Sequence, residues 1–214
     1  MEKEEIMRIS KTPEERKTEI LDAAEHLFTT KGYSETTVND ILKIVGVAKG
    51  TFYYYFPSKE EVMHAIVERF IDVEVQRAEA IASNTSLKAP DKIFQIMMTP
   101  SSPEQRKDNM IEELHGVGNA EMHQKSIIET IKQLTPILTK IIEQGISENV
   151  FTTPYPQETV EVLLVSSGFI FDDGIFKWEP NEQMQKAKAF IYILETVLGA
   201  KEGSFQYLLE RLGS

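Results

Sequence analysis

The sequence predicts an all-α protein, and three observations carry that prediction. Helix-start signals recur along the chain, apolar residues fall three and four apart in one segment after another, and no stretch alternates apolar and polar residues long enough to make a strand. At 214 residues, 41% hydrophobic and 27% charged, the chain can bury a substantial core and is far from a disordered composition.

Thr12-Pro13-Glu14-Glu15 opens the first helix, with a cap residue, proline at the first helical position and glutamate at the third. Ile20, Ala24, Leu27 and Phe28 form its apolar stripe, and Lys31-Gly32 closes it. Thr37-Val38-Asn39-Asp40 starts a second helix, striped by Val38, Ile41, Leu42 and Val45 and stopped by Gly46. The third begins near Ala48 and ends before Pro57. Ser58-Lys59-Glu60-Glu61 is another capping box, and it launches a long helix with Val62, Ile66, Phe70 and Val73 on one face, fading by Asn84-Thr85-Ser86.

Beyond Pro90 a second, larger helical body is expected. Ile93, Phe94, Met97 and Met98 belong to a short helix, and Ser102-Pro103-Glu104-Gln105 caps another that runs to His115-Gly116. Residues 121–148 carry a seam of Ile127, Ile131, Leu134, Leu138, Ile141 and Gly145, interrupted by a kink at Pro136. After the two-proline loop at 151–157 come two further helices, one with Val160, Leu164, Ser167 and Phe171, the other with Phe190, Ile191, Leu194, Val197 and Leu198. A terminal helix is expected on Phe205, Leu208, Leu209 and Leu212. The functional division falls between residues 1–57 and 58–214, with the long fourth helix belonging to both parts.

Composition narrows the function. The chain has no cysteine, which excludes disulfides, thiolate metal cages and cysteine nucleophiles. It has no apolar run long enough for a membrane span or a secretory signal, so the expected address is cytoplasmic, with no membrane partner. A net charge of -11 repels polyanions, and contact with nucleic acid requires a local change of sign. Residues 8–59 supply it, with eight Lys/Arg against seven Asp/Glu.

That near-neutral segment holds "GVAKGTFYYYFPSK", residues 46–59. Two short helices joined at a glycine turn describe a helix-turn-helix, whose second member lies in the DNA major groove. With Val47, Phe52 and Phe56 turned inward, helical periodicity leaves Lys49, Gly50, Thr51, Tyr53, Tyr54 and Tyr55 on the outer and flanking sides. A phenol donates to phosphate without adding charge, and an ammonium displaces counterions. Gly50 sacrifices roughly 1 kcal/mol of helix propensity, which is intelligible where a backbone comes close to a DNA strand. Thr37 heads a helix N-terminus, which favours anions.

From about Glu15 to Glu61, through "ILDAAEHLFTTKGYSETTVNDILKIVGVAKGTFYYYFPSKEEV" (20–62), the chain resembles the N-terminal signature of the tetracycline-repressor (TetR) family of bacterial transcriptional regulators. The resemblance implies DNA contacts from Thr37, Lys49, Gly50, Thr51, Tyr53, Tyr54, Tyr55 and Lys59, and a base contact from Asn39. Val45 stands where alanine is common, and Tyr55 where histidine is frequent. Beyond Glu61 the similarity lies in helical layout alone. The family likeness further implies a homodimer on a double-stranded, palindromic operator, acting as a repressor and released by a small-molecule effector held in the C-terminal ligand-binding and dimerisation body, without a cofactor. Two recognition helices about 34 Å apart require such a dimer. Its expected surface is the last two long helices, through Leu164, Ser167, Gly168, Phe171, Phe190 and Leu194, where small residues allow close approach.

Phe94, Met97, Met98, Met110, His115, Phe169 and Trp178 are candidate effector-binding residues, because thioethers and aromatic faces adapt to ligands of varied shape. Glu61-x-x-His64 and Glu112-x-x-His115 carry the spacing of a metal-dependent helical-bundle enzyme. Context argues against that reading, because Glu61 falls in the Ser58 cap; no metal site is expected and the chain is not expected to be an enzyme. The remaining alternative keeps the helix-turn-helix in an architectural or protein-binding role without an effector.

Overall fold

The computed structural model describes residues 11–98 and 120–209. Among them the chain forms eight helices and no strand: α1 (Pro13–Lys31), α2 (Val38–Val45), α3 (Lys49–Tyr55), α4 (Lys59–Ala82), α5 (Ala89–Met98), α6 (Ala120–Ser147), α7 (Pro156–Ile170) and α8 (Pro180–Leu198). The helix expected from Ser102 to His115 and Leu212 of the expected terminal helix lie outside the described residues. No described helix is long and apolar enough to cross a membrane. The chain divides into two compact units, Met1–Glu68 and Arg69–Ser214. The division falls within α4, beyond the functional boundary at 57/58, because the buried Val62, Met63 and Ile66 lie within the first unit.

In the first unit, local capping chemistry sets each helix. The Thr12 hydroxyl accepts from the Glu15 N–H at 3.2 Å, and the Glu15 carboxylate accepts from the Thr12 N–H at 2.7 Å. Thr37 and Asp40 repeat this exchange at α2, and Lys31 adds an ion pair to the Asp40 carboxylate at 2.7 Å. Gly46 ends α2 in the left-handed region, at φ 71°, and its N–H reaches back to the Leu42 carbonyl. Ile20, Ala24, Phe28, Ile41 and Phe52 are fully buried and hold α1, α2 and α3 together. Lys59, at the start of α4, donates to the carbonyls of Tyr33 (2.7 Å) and Thr36 (2.9 Å), with its ammonium 4.1 Å from the Tyr33 ring centre. Burial, reinforced by the neighbouring Glu60 carboxylate, pushes the Tyr33 phenol up to about 12.

The second unit is built on α6, α7 and α8 with α5 and the end of α4. Ile141 on α6, Phe151 in the following loop, Leu194 and Leu198 on α8, and Phe205 beyond it are buried in one cluster. Gly145 makes room for Phe151, whose ring stacks on Phe205 with centroids 6.2 Å apart. α6 continues through Pro136, where the kink was expected; one residue earlier the Thr135 hydroxyl donates to the Ile131 carbonyl at 2.7 Å.

Two cations bind α5 to α4. Buried Lys92 donates to the Ala82 carbonyl at the last residue of α4 (2.5 Å) and to the Gln144 side chain (2.7 Å). Arg77 donates to the carbonyls of Gln95 and Ile96 near the end of α5 and pairs with Glu74. After α8, residues 202–207 form turns, and of the expected terminal helix Phe205 lies in these turns while Leu208 and Leu209 are helical. The buried Glu195 carboxylate takes the N–H groups of Gly203 (3.1 Å) and Phe205 (2.9 Å), which anchors this segment while Phe205 and Leu208 fill the core.

A methyl group at Gly145 would overlap the Phe151 ring. Gly145→Ala is therefore expected to destabilise the body by about 1–3 kcal/mol, the usual cost of overpacking, read as a lower denaturation midpoint in urea. Asp40 is held below its ordinary 3.8, first by the Lys31 ammonium and then by the N–H and hydroxyl of Thr37. Its contribution is present above that value and is lost as the pH falls below it, because the unfolded chain takes up the proton first. Asp40→Asn should flatten the acid limb of stability against pH, measured by circular dichroism between about pH 5 and pH 2.

Candidate functional site

The first unit offers one element whose buried and exposed sides carry sharply different chemistry. On α3, Phe52 is fully buried and Phe56 nearly so, which fixes the helix on α1 and α2. Tyr53 is 45% exposed and Tyr54 80% exposed, while Tyr55 is half-buried with its ring edge-on to Tyr54 at 5.0 Å. Exposed Lys49 sits with its ammonium 5.8 Å from the Tyr53 ring centre. Gly50 is exposed and Thr51 half-buried, and a Cβ at Gly50 would meet nothing within 4 Å. Neither internal packing nor a left-handed backbone demands glycine there.

Asn39 is exposed in the first turn of α2. Thr37 is exposed too, but its hydroxyl donates to the Asp40 carboxylate at 2.8 Å while accepting from the Asp40 N–H. Lys59 lies apart from the α3 surface in its bonding: two of its three donors are committed to the Tyr33 and Thr36 carbonyls. The surface brought together by α3 is therefore Lys49, Gly50, Tyr53 and Tyr54, with Asn39 and Thr37 on the preceding helix. It has phenol and ammonium donors and an open backbone, and α3 itself contributes no carboxylate, the equipment for gripping sugar and phosphate.

In the second unit, α7 and α8 are apolar on two sides. Of the residues expected at a dimer surface, Leu164, Ser167, Phe190 and Leu194 line a cavity of about 120 Å³ inside the unit. Phe171 packs edge-on to Phe190 at 5.6 Å, and Gly168 faces Ile127 of α6 at 3.7 Å from a would-be Cβ. The outer side of the same helix pair carries a groove of about 820 Å³ lined by Val162, Ser166, Ala189, Ile193 and Val197 among others. Val162 is 64% exposed and neighbouring Tyr192 71% exposed. The sequence points to the inward stripe because its small residues allow close helix approach; the outward valines and isoleucine carry an equally periodic signal one helical face away.

The expected effector-binding residues separate. Met97 lines the inner cavity, whereas Phe94 is partly exposed and packs edge-on to Tyr207 at 4.8 Å. Trp178 lies at the outer groove, stacked on Phe176 at 5.0 Å, with its indole N–H donating to the Ile170 carbonyl and the Lys186 ammonium 3.7 Å from its ring centre. Phe169 is half-buried on α7. Met110, His115 and the Met98 side chain lie outside the described residues. His64 faces Glu68 at 3.6 Å, and among the described residues no three His, Asp or Glu groups are clustered as metal ligands.

These features coincide with known proteins at both ends of the chain. Residues 20–66 match the family described as bacterial regulatory proteins, tetR family, and residues 103–193 match the tetracyclin repressor-like C-terminal domain. YhgD of Bacillus subtilis, an uncharacterized HTH-type transcriptional regulator, is 30% identical over 185 residues, covering 85% of this chain and 93% of that protein. An uncharacterized HTH-type transcriptional regulator of Lactococcus lactis is 44% identical over 57 residues, which are 27% of this chain and 29% of that protein. The fold is shared with SmeT, the repressor of the Stenotrophomonas maltophilia multidrug efflux pump SmeDEF, in its complex with triclosan, at a TM-score of 0.55 and 19% identity over 89% of this chain and 94% of that one. The chain belongs to the tetR family of bacterial regulatory proteins, and it is a DNA-binding transcriptional regulator rather than an enzyme.

Proposed function

We propose that the protein is a ligand-responsive repressor: two copies grip a palindromic operator in the bacterial cytoplasm through α3 and the first turn of α2, and a small molecule in the second unit releases them. The observation that carries this reading is the exposed Lys49, Gly50, Tyr53 and Tyr54 on a helix fixed from beneath by Phe52. Glycine at position 50 weakens α3 and serves no internal contact, so close approach of a DNA strand accounts for it. Dimerisation is supported by the outer groove of α7 and α8, an apolar surface too well formed to be left in water. That SmeT has been crystallised with triclosan supports a small-molecule effector here. Within the second unit the clamps from Lys92 and Arg77 make α5 and the end of α4 respond together to an occupant. A hundredfold change in operator affinity corresponds to roughly 2.7 kcal/mol of coupling, an ordinary magnitude.

Three measurements test the assembly. Lys49→Ala should weaken operator binding at every sequence and lower the magnitude of its salt slope by about 1 per head, measured by fluorescence anisotropy over a salt series. Gly50→Ala should leave the protein as stable as before or up to roughly 1 kcal/mol more stable, yet lose at least about tenfold in operator affinity; unchanged affinity would remove the close-approach argument. Ile193→Glu places a carboxylate in the outer groove and should yield monomers by analytical ultracentrifugation, with a shift in Trp178 emission at the same protein concentration.

A further inference from the structure

The cavity behind the dimer face has a composition that selects for ligand chemistry. It lies between α5, α6, α7 and α8 and reaches Leu208 beyond them. Of its twelve lining residues eleven are hydrocarbon, aromatic or thioether, and the twelfth is Ser167. The Ser167 hydroxyl donates to the carbonyls of Leu163 (2.8 Å) and Leu164 (3.3 Å) in its own helix, so its proton is committed and only acceptor capacity is left. Among these residues no charged group faces the space, and an ion entering it would lose its hydration without compensation. A partly open space of about 120 Å³ with such walls has the size and apolar character of cavities that take up benzene. Met97 lines the cavity while remaining about one-third exposed, which gives the space a flexible side chain at its edge.

We propose that this cavity is the binding site for a small uncharged apolar molecule of about the size of benzene or toluene, carrying at most one hydrogen-bond donor for Ser167. The identification rests on the ligand-responsive reading above only for its consequence, not for the site. That consequence follows from two shared walls: Leu163 and Phe190 line the inner cavity and the outer groove alike. A ligand that fixes the Phe190 ring on its inner side therefore alters the surface on its outer side, where the second copy is proposed to sit.

The test uses the full-length protein with toluene and, as its charged near-isostere, benzoate. Toluene at about ten times its Kd should raise the thermal midpoint by roughly 3–6 °C and shift the Met97 methyl resonance, whereas benzoate at equal concentration should do neither. Leu164→Phe and, independently, Ser167→Leu fill the space and should each reduce toluene affinity at least about tenfold, with an unchanged circular dichroism spectrum and a cooperative thermal transition as proof of folding. Comparable binding of benzoate, no binding of toluene, or toluene binding that both filled variants retain would overturn the proposal. Operator affinity followed in the same titration separates the two readings: toluene that occupies the cavity without loosening the operator upholds the site and removes the effector role, whereas loosening upholds both.

Discussion

Two ammonium groups placed on backbone carbonyls tie the two ends of α4 to their neighbours. Lys59 satisfies the Tyr33 and Thr36 carbonyls that the turn between α1 and α2 leaves without helical partners, and Lys92 satisfies Ala82 at the C-terminus of α4. A helix end carries unpaired carbonyls and the negative end of the dipole, so a cation there replaces water with a fixed partner. Burying Lys92 without a direct carboxylate contact is tolerable because two strong acceptors take its protons, and Glu148, bonded to Gln144 and to the Ala89 N–H, stands one residue further along the network. Any movement of α5 must break these bonds or carry α4 with it.

The reading surface depends on α4 only indirectly and on Phe52 directly. The protein has a net charge of -11, so long-range attraction to DNA is poor and the contact must be made by short-range donors. Phenols suit that constraint: they donate hydrogen bonds and cover sugar with ring surface without needing a large positive field. The same argument explains why Lys31 can be given to Asp40 and Lys59 to internal carbonyls. On the proposed reading, few ammonium groups are needed because aromatic hydroxyls carry the grip.

Features set by adjacent residues were legible in the sequence, and those set by distant partners were not. Thr12-Glu15 and Thr37-Asp40 cap within four residues, and Gly46 ends its helix through its own backbone, so α1, α2 and α3 could be read from spacing. Phe52 against its exposed neighbours could be read from period. The faces of α7 and α8 could not, because both sides are apolar and periodicity gives the angle between faces, not which one meets a core. Leu164 and Leu194 went inward, Val162 and Ile193 outward, and only the placement of α5 and α6 decides between them. The start of the last helix was misplaced for another reason: Phe205 fits the apolar spacing of Leu208 and Leu209, but its N–H and that of Gly203 are taken by Glu195, so the chain is helical only from Leu208. Tyr33 escaped notice similarly, as a polar-tipped residue buried against Lys59, which is remote in sequence.

The arrangement of two apolar surfaces on one helix pair has a thermodynamic consequence. A ligand shifts an equilibrium only by its difference in affinity between the states, so a cavity filled equally well in both would change nothing. Leu163 and Phe190 make such equality hard to maintain, because their positions enter the packing of both surfaces at once. Interiors are close-packed, and a ring displaced by even one methylene's width must be accommodated by a neighbour. With Phe171 edge-on to Phe190 and Gly168 against Ile127, the inner neighbours are already in contact. The outer groove is the more open of the two surfaces, so on the proposed reading displacement of Phe190 by an occupied cavity is taken up there.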